Sequence, residues 1–404
     1  MAHIDLIYFN AGGGHRAAAE ALREVMVGAG SPWQVRLLNL FELLDPQDRF
    51  RRITGMPPED YYNRRLARGW TLGMAQELKL LQTAIRLAHP RLVQRLQQHW
   101  QRSPPDLAAS LVPNFNLALS HSLQAVRPGL PFVTVLTDLA DLPPHFWVER
   151  GAGQHVVCGT ERALQQARAM GVDPSHLHRV SGMILRPSFY RDSVEPRPAA
   201  RRALGLDEHT PTGVVLFGGQ GSSAMLGIAE HLSDVPLILM CGHNHGLAER
   251  LCAQPAAAPR VIVGYTTEVA RYLRLGDFFI GKPGPGSLSE ALHCGLPVIV
   301  TRNAWTMPQE RYNTDWVREQ GLGLVLANFA GLPLAVARLR TELAQFVARV
   351  QRLDNRALFE VPQILTGILR EAQRTADQGA ERLTRIERPG PAANDADDAV
   401  VHAS

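Results

Sequence analysis

One local pattern occurs twice in the chain, about 209 residues apart: a short β-rich run, a glycine-rich turn, then an apolar helix. Residues Ile4 to Phe9 run into Asn10-Ala11-Gly12-Gly13-Gly14-His15, and an alanine- and leucine-rich helix follows from about Arg16. Residues Gly213 to Phe217 run into Gly218-Gly219-Gln220-Gly221-Ser222, with a helix through Met225 to Leu232. Strand, glycine turn and helix form the opening unit of a Rossmann-like sheet. Each copy is followed by more of the same alternation. Strands are expected near 33–40, 106–112, 132–137 and 155–158, then near 237–240, 260–263, 278–280 and 298–301. The helical stretches between them are what parallel strands require. The expected fold class is therefore α/β, with two Rossmann-like domains, 1–190 and 199–375, facing across a cleft. The proline- and arginine-rich stretch Pro187 to Pro198 joins them. Residues 355–375 read as helical. The Gly/Pro/Asp/Ala-rich end, 376–404, reads as a disordered tail.

Composition removes other classes. Four cysteines, Cys158, Cys241, Cys252 and Cys294, lie far apart without a paired spacing, so neither a disulfide framework nor a zinc site is expected, and a reducing cytoplasm fits. The N-terminus has no charged region leading into an apolar core, and no apolar run approaches the ~18 residues that span a bilayer. The basic residues are almost all arginine: Lys79 and Lys282 are the two lysines among 42.

Lys282 opens the sharpest segment, Lys282-Pro283-Gly284-Pro285-Gly286-Ser287-Leu288-Ser289-Glu290. It follows the apolar run Phe278 to Ile280, and a helix is expected to open with Ser287 as its N-cap. Glycines admit close backbone approach, and first-turn amides attract an anion such as a diphosphate. Glu290 then falls at the third helical position, where it serves either a capping box or the hydroxyls of a ribose. In the first half, His15 ends the glycine turn and is expected to face the cleft, with a pKa near working pH. Asp138 follows the apolar run Phe132 to Leu136. It is either a base, a partner that orients His15, or a turn cap. His243 and His245 in Cys-Gly-His-Asn-His read as a loop near the nucleotide, with no third metal ligand in view.

With Gly12-Gly13-Gly14-His15-Arg16, Val135-Leu136-Thr137-Asp138-Leu139 and Pro308-Gln309-Glu310-Arg311-Tyr312-Asn313, this segment resembles the monogalactosyldiacylglycerol synthase and processive diacylglycerol glucosyltransferase family. More distantly, it is similar to the N-acetylglucosaminyltransferase of the lipid-linked peptidoglycan precursor. The resemblance runs over roughly residues 4–370 and is weakest across 41–105. It implies the GT-B fold and inverting hexosyl transfer from UDP-glucose or UDP-galactose, with no metal and no cofactor beyond the donor substrate. By that resemblance Gly284, Pro285, Gly286 and Ser287 hold the diphosphate, and Glu290 the ribose. Gln309 and Glu310 reach the donor sugar, and Gly218, Gly219 and Gly221 line the same pocket. Val263, Gly264 and Tyr265 meet the uracil. Lys282 either touches phosphate or is a surface lysine. Gly13 and Gly14 lie on the acceptor side, and His15 or Asp138 takes the proton. The step before Gln309 departs from the family: Thr306-Met307-Pro308 stands where a Pro-Gly step is usual.

The acceptor side carries a charge signal of its own. Residues 49–102 hold 11 Arg/Lys and 3 Asp/Glu, a net +8 against +4 for the whole chain, with Phe50, Met56, Tyr61, Tyr62, Trp70 and Trp100 interspersed. Such a mixture fits an anionic membrane surface. No nucleic-acid motif accompanies it. The expected acceptor is a lipid hydroxyl, diacylglycerol first, at the inner face of the cell membrane. Rivals are a polyprenyl-linked or secondary-metabolite acceptor, a UDP-sugar 2-epimerase, and a nucleotide-sugar-binding regulator without turnover.

Overall fold

The computed structural model describes residues 2–10, 13–28, 33–56, 74–192 and 195–386. They form two six-stranded sheets, every strand parallel to its neighbours. The first contains β1 (Ala2–Tyr8), β2 (Trp33–Asn39), β3 (Leu107–Ser110), β4 (Phe132–Val135), β5 (His155–Cys158) and β6 (Leu177–Arg179), in the order β2-β1-β3-β4-β5-β6. The second contains β7 (Gly213–Leu216), β8 (Leu237–Gly242), β9 (Arg260–Gly264), β10 (Phe278–Gly281), β11 (Val298–Thr301) and β12 (Gly323–Leu326), in the order β12-β11-β10-β7-β8-β9.

The inner strands are continuous apolar runs because helices cover both faces. Ile4 and Leu6 enter the core on one side of the first sheet, and Ile7 enters the core on the other. Val214 and Val215 divide the same way in the second sheet. Two strands escaped the sequence reading, β6 and β12. Both are edge strands, and β6, reading Leu-His-Arg, offers no apolar alternation to detect.

The stretch between the sheets is anchored at both ends. Phe189 is buried in the core of the second domain, and the helix Arg197–Ala203 brings in Arg201. The buried Arg201 guanidinium donates to Asp277 Oδ2 at 3.0 Å, and also meets the Thr210 carbonyl and Thr212 Oγ1.

The last helix, Ala357–Ile386, crosses back to the first domain. Ala357, Leu358, Val361 and Leu365 pack into the same core as Ile4 and Leu6. Asn355 Nδ2 donates to the Met183 carbonyl at 2.9 Å, and Ser181 N donates to Glu360 Oε2 at 2.7 Å, so the two crossings are tied together. This helix runs to Ile386, past residue 375, where the tail was expected to begin, although its buried residues end at Leu369 and residues 373–378 are exposed. The rest of that expected tail, 387–404, lies outside the described residues.

Candidate active site in the cleft

In an open parallel sheet, ligands gather outside the carboxyl ends of the strands, where the strand order reverses. In the first sheet that point lies between β1 and β3. After β1, Gly13 stands in the left-handed region at φ 78°, and the helix Gly14–Gly28 opens ahead of the expected start at about Arg16, so His15 lies in its first turn and does not end the glycine turn. Across the switch, the chain leaving β3 presents the Leu111 carbonyl, 2.8 Å from His15 Nδ1. A carbonyl only accepts, so Nδ1 carries the proton and Nε2 of the neutral ring keeps its lone pair. Thr137 Oγ1 lies 2.9 Å from the same Nδ1. Leu111 and Thr137 thus orient His15, the role the sequence had left open for Asp138. Burial among Phe9, at 4.9 Å between ring centres, and Trp147, at 5.9 Å, lowers the His15 pKa to about 4. The expectation of a pKa near working pH does not hold, because the ring is withdrawn from water.

Asp138 stands just beyond β4 and is only 7% exposed. Its Oδ2 accepts from the Trp147 indole N–H at 2.9 Å. Desolvation pushes its pKa up to about 7, and the Trp147 hydrogen bond opposes that rise. Charges of the other domain reach it as well: Glu310 raises its pKa and Lys282 lowers it. The two halves of the site therefore sense each other across the cleft.

In the second sheet the reversal lies between β7 and β10. The glycine turns sit there, Gly218-Gly219-Gln220-Gly221 after β7 and the Lys282 to Gly286 segment after β10. The turn after β7 packs tightly on the end of β8: His243 N donates to Gly219 O at 2.9 Å, and a Cβ on Gly242 would lie 2.1 Å from that oxygen. After β10 the helix is Pro285–His293 with Gly284 as N-cap. This corrects the sequence reading of Ser287 as the cap. Pro285 is suited to the first helical position, since its missing N–H needs no partner there. Ser287 becomes the third helical residue and Glu290 moves to the second turn, out of reach of a capping box. Its carboxylate instead lies 3.6 Å from the Arg186 guanidinium.

Lys282 is not a free surface lysine. Its Nζ meets the buried Glu310 Oε1 at 3.1 Å. Gly284 keeps this pair open, since a Cβ there would approach Lys282 Cε at 3.2 Å and Glu310 Oε1 at 3.4 Å. Gln309 Nε2 lies 3.7 Å from Met307 Sδ, in the short turn Pro308–Glu310. At the far end, Val263 is buried, Gly264 is open, and the exposed Tyr265 ring stacks on His243 at 3.9 Å. The His243 loop and the segment after β9 thus form one wall.

No family model matches the chain. A rice (Oryza sativa subsp. japonica) protein named "Probable monogalactosyldiacylglycerol synthase 2, chloroplastic" is 27% identical over 94% of this chain and 82% of its own length. The chloroplastic monogalactosyldiacylglycerol synthase of Spinacia oleracea is 28% identical over 80% of this chain and 63% of its own. Among solved structures, MurG of Acinetobacter baumannii superposes with a TM-score of 0.61 at 12% identity, over 91% of this chain and all of that one. The glycosyltransferase SnogD of Streptomyces nogalater gives 0.52 at 16%, over 91% of this chain and 100% of its own. The chain is a GT-B glycosyltransferase homologous to the monogalactosyldiacylglycerol synthases.

The region read from sequence as the acceptor side, residues 49–102, differs from that reading in one respect. Trp100 is fully buried and donates its indole N–H to Ser122 Oγ at 2.9 Å, so it belongs to the core and meets no membrane. Tyr61, Tyr62 and Trp70 lie outside the described residues, Phe50 is exposed and Met56 half-buried. On the helix Met74–Arg102 the exposed large apolar groups are Leu80, 71% exposed, Leu87, 81%, and, to a lesser degree, Leu81, 48%. Leu80 and Leu87, seven residues apart, share one helix face, with exposed Lys79, Arg86 and Arg91 around them. Among the described residues, no helix is long and apolar enough to cross a membrane, and no cluster of three or more His, Cys, Asp or Glu is arranged to hold a metal.

Three residues in contact with the candidate site residues were missed from sequence: Leu111 by its carbonyl, Trp147 and Arg186. A carbonyl leaves no trace in residue type, and Trp147 meets Asp138 only through the fold of the intervening loop.

Proposed function

We propose that this glycosyltransferase moves a hexose, with inversion, from UDP-glucose or UDP-galactose to a lipid hydroxyl, diacylglycerol first among them, at an anionic membrane surface. The observation that carries the reading is the convergence across the cleft: Asp138, poised to titrate at about 7, feels Lys282 and Glu310 beside the helix N-terminus of the second domain. Direct displacement at the anomeric carbon needs a proton acceptor on one side and charge stabilisation of the leaving diphosphate on the other.

In this reading UDP lies along the second sheet, with uracil against Val263, Gly264 and Tyr265. Gly218, Gly219 and Gly221 line its pocket. The Gly284 to Ser287 turn offers first-turn amides to the diphosphate, Lys282 adds positive charge, and Glu290 accepts from the ribose hydroxyls. Gln309 and Glu310 meet the sugar. The acceptor hydroxyl enters from the Gly13–Gly14 side. His15 Nε2 orients it, and Asp138 takes the proton, because a pKa near 7 suits that transfer and one near 4 does not. The leaving group is stabilised by amides and Lys282, so no step calls on a metal. Leu80 and Leu87 within a basic face suit docking at the cytoplasmic side of a bilayer, apolar groups entering the interface and charges meeting lipid headgroups.

The test uses radiolabelled UDP-glucose and UDP-galactose with diacylglycerol vesicles, with and without anionic lipid. Labelled lipid in the organic phase is expected, and more of it with anionic lipid. Intact UDP-sugar binding with no labelled lipid under any condition sinks the lipid acceptor. Label in a second free UDP-sugar assigns a 2-epimerase.

A further inference from the structure

Glu290 is 16% exposed in its side chain, on the second turn of the helix that ends the donor cradle. Burial raises its pKa, against its use as an ionised acceptor for ribose hydroxyls. The titratable groups around it give little help. His293 on the same helix donates from Nε2 to the Phe189 carbonyl at 3.1 Å, and burial lowers its pKa. The Cys294 thiol is pushed up to about 12, by burial first, and stays uncharged. Tyr190 packs on the His293 ring at 4.6 Å, and burial raises its phenol pKa. Arg274, from the helix Val269–Leu275, spends a donor on the Phe189 carbonyl at 2.7 Å. Among the described residues, the charge that meets the Glu290 carboxylate is Arg186, at 3.6 Å.

Arg186 comes from the segment between the two domains. Its backbone is pinned by its buried neighbours Leu185 and Phe189, and its carbonyl accepts from Phe189 N at 3.0 Å. The pair is longer than a hydrogen bond, and the buried Arg186 Nε has no partner. The guanidinium therefore acts on Glu290 through its charge, and a paired fork does not form.

We propose that Arg186 is a positioning residue for the donor: it holds Glu290 ionised and in place for the ribose of a uridine diphosphate. This rests on the reading of Glu290 as the ribose ligand. A carboxylate withdrawn from water stays ionised only beside a compensating charge. Once protonated, it becomes a poorer acceptor for two adjacent hydroxyls. Arg186 reaches the nucleotide through Glu290, and the interdomain segment thereby bears on donor affinity.

The experiment measures UDP affinity by titration calorimetry, at pH 8 and pH 6, for the full chain and for Arg186→Gln, Arg186→Lys, Glu290→Gln and the double variant Arg186→Gln/Glu290→Gln. Arg186→Gln is expected to weaken UDP about tenfold, and the same change in the Glu290→Gln background less than about twofold. The loss in Arg186→Gln is expected to be larger at pH 6 than at pH 8, because Glu290 protonates more readily without its partner. Arg186→Lys, which keeps the charge, is expected to restore most of the affinity. Equal weakening in both backgrounds means that Arg186 touches the nucleotide itself and overturns the proposal. Unchanged affinity in Arg186→Gln beside a weakened Glu290→Gln overturns it alone. Unchanged affinity in Glu290→Gln removes the ribose reading, and this proposal with it.

Discussion

Trp147 donates its indole N–H to Asp138 Oδ2 at 2.9 Å, from a position without solvent exposure. That bond favours the ionised carboxylate, while burial raises the Asp138 pKa to about 7. If Asp138 takes the proton, turnover rises as pH passes through about 7. Removing the donor without emptying the site, in Trp147→Phe, raises the pKa further and moves this limb to higher pH. The check is kcat against pH for both proteins. A limb that stays put in Trp147→Phe separates it from Asp138.

Asp138→Asn is expected to lower kcat by about two orders of magnitude or more, the usual weight of a positioned acid–base group, and His15→Ala by about as much through lost orientation of the acceptor hydroxyl. UDP affinity should stay near its original value in both, since both groups stand on the first sheet and the donor cradle on the second. Steady-state turnover beside UDP calorimetry reads the two effects separately. Full turnover in His15→Ala would take His15 out of the reaction.

The proposed membrane face has an internal contrast. Leu80→Asp/Leu87→Asp should weaken sedimentation with anionic vesicles by about tenfold or more, because two apolar anchors are replaced by charges of the wrong sign. Soluble UDP binding should be untouched. Trp100→Ala, on the same helix, should instead lower stability by about 3–5 kcal/mol, since it empties a packed core position. Urea unfolding distinguishes them. Equal vesicle binding by the double aspartate variant removes this face from membrane contact.

Arg201→Met should destabilise the second domain by about 3 kcal/mol or more. The guanidinium is buried, and its loss removes a whole set of bonds at once, to Asp277 Oδ2, Thr212 Oγ1 and the carbonyls of Asp207, Thr210 and Leu275, although Asp277 keeps Arg197 and Thr212 N. The midpoint of urea unfolding measures this, and a change below about 1 kcal/mol would show that solvent replaces these bonds.

What was legible in the sequence was local and periodic. The inner strands of both sheets announced themselves as apolar runs, since parallel strands covered on both faces have no polar side to break the pattern. The glycine turns after β1, β7 and β10 were equally plain, because a backbone that must turn sharply and approach a ligand has few residue types to choose from. Edge strand β6 was hidden because its three residues, Leu-His-Arg, carry no apolar run, whereas β12, Gly-Leu-Val-Leu, is as long as β7 and was passed over at the half-buried sheet edge. The start of the helix at Pro285 was misjudged because Ser287 is also a competent cap, and only backbone geometry distinguishes the two.

The sequence by itself determined two Rossmann-like units and the glycine turns beside which the candidate groups stand, because local hydrogen bonding and burial set strand, turn and helix. Partnership was decided by tertiary structure alone. His15 found Leu111 and Thr137, Asp138 found Trp147, Lys282 found Glu310, and Glu290 found Arg186. Trp100 went to the core, and Leu80 and Leu87 were left outside. Such pairings join residues brought together by crossovers, by the cleft and by the segment between domains. Their strength comes from desolvation, which no residue carries until the chain has closed around it.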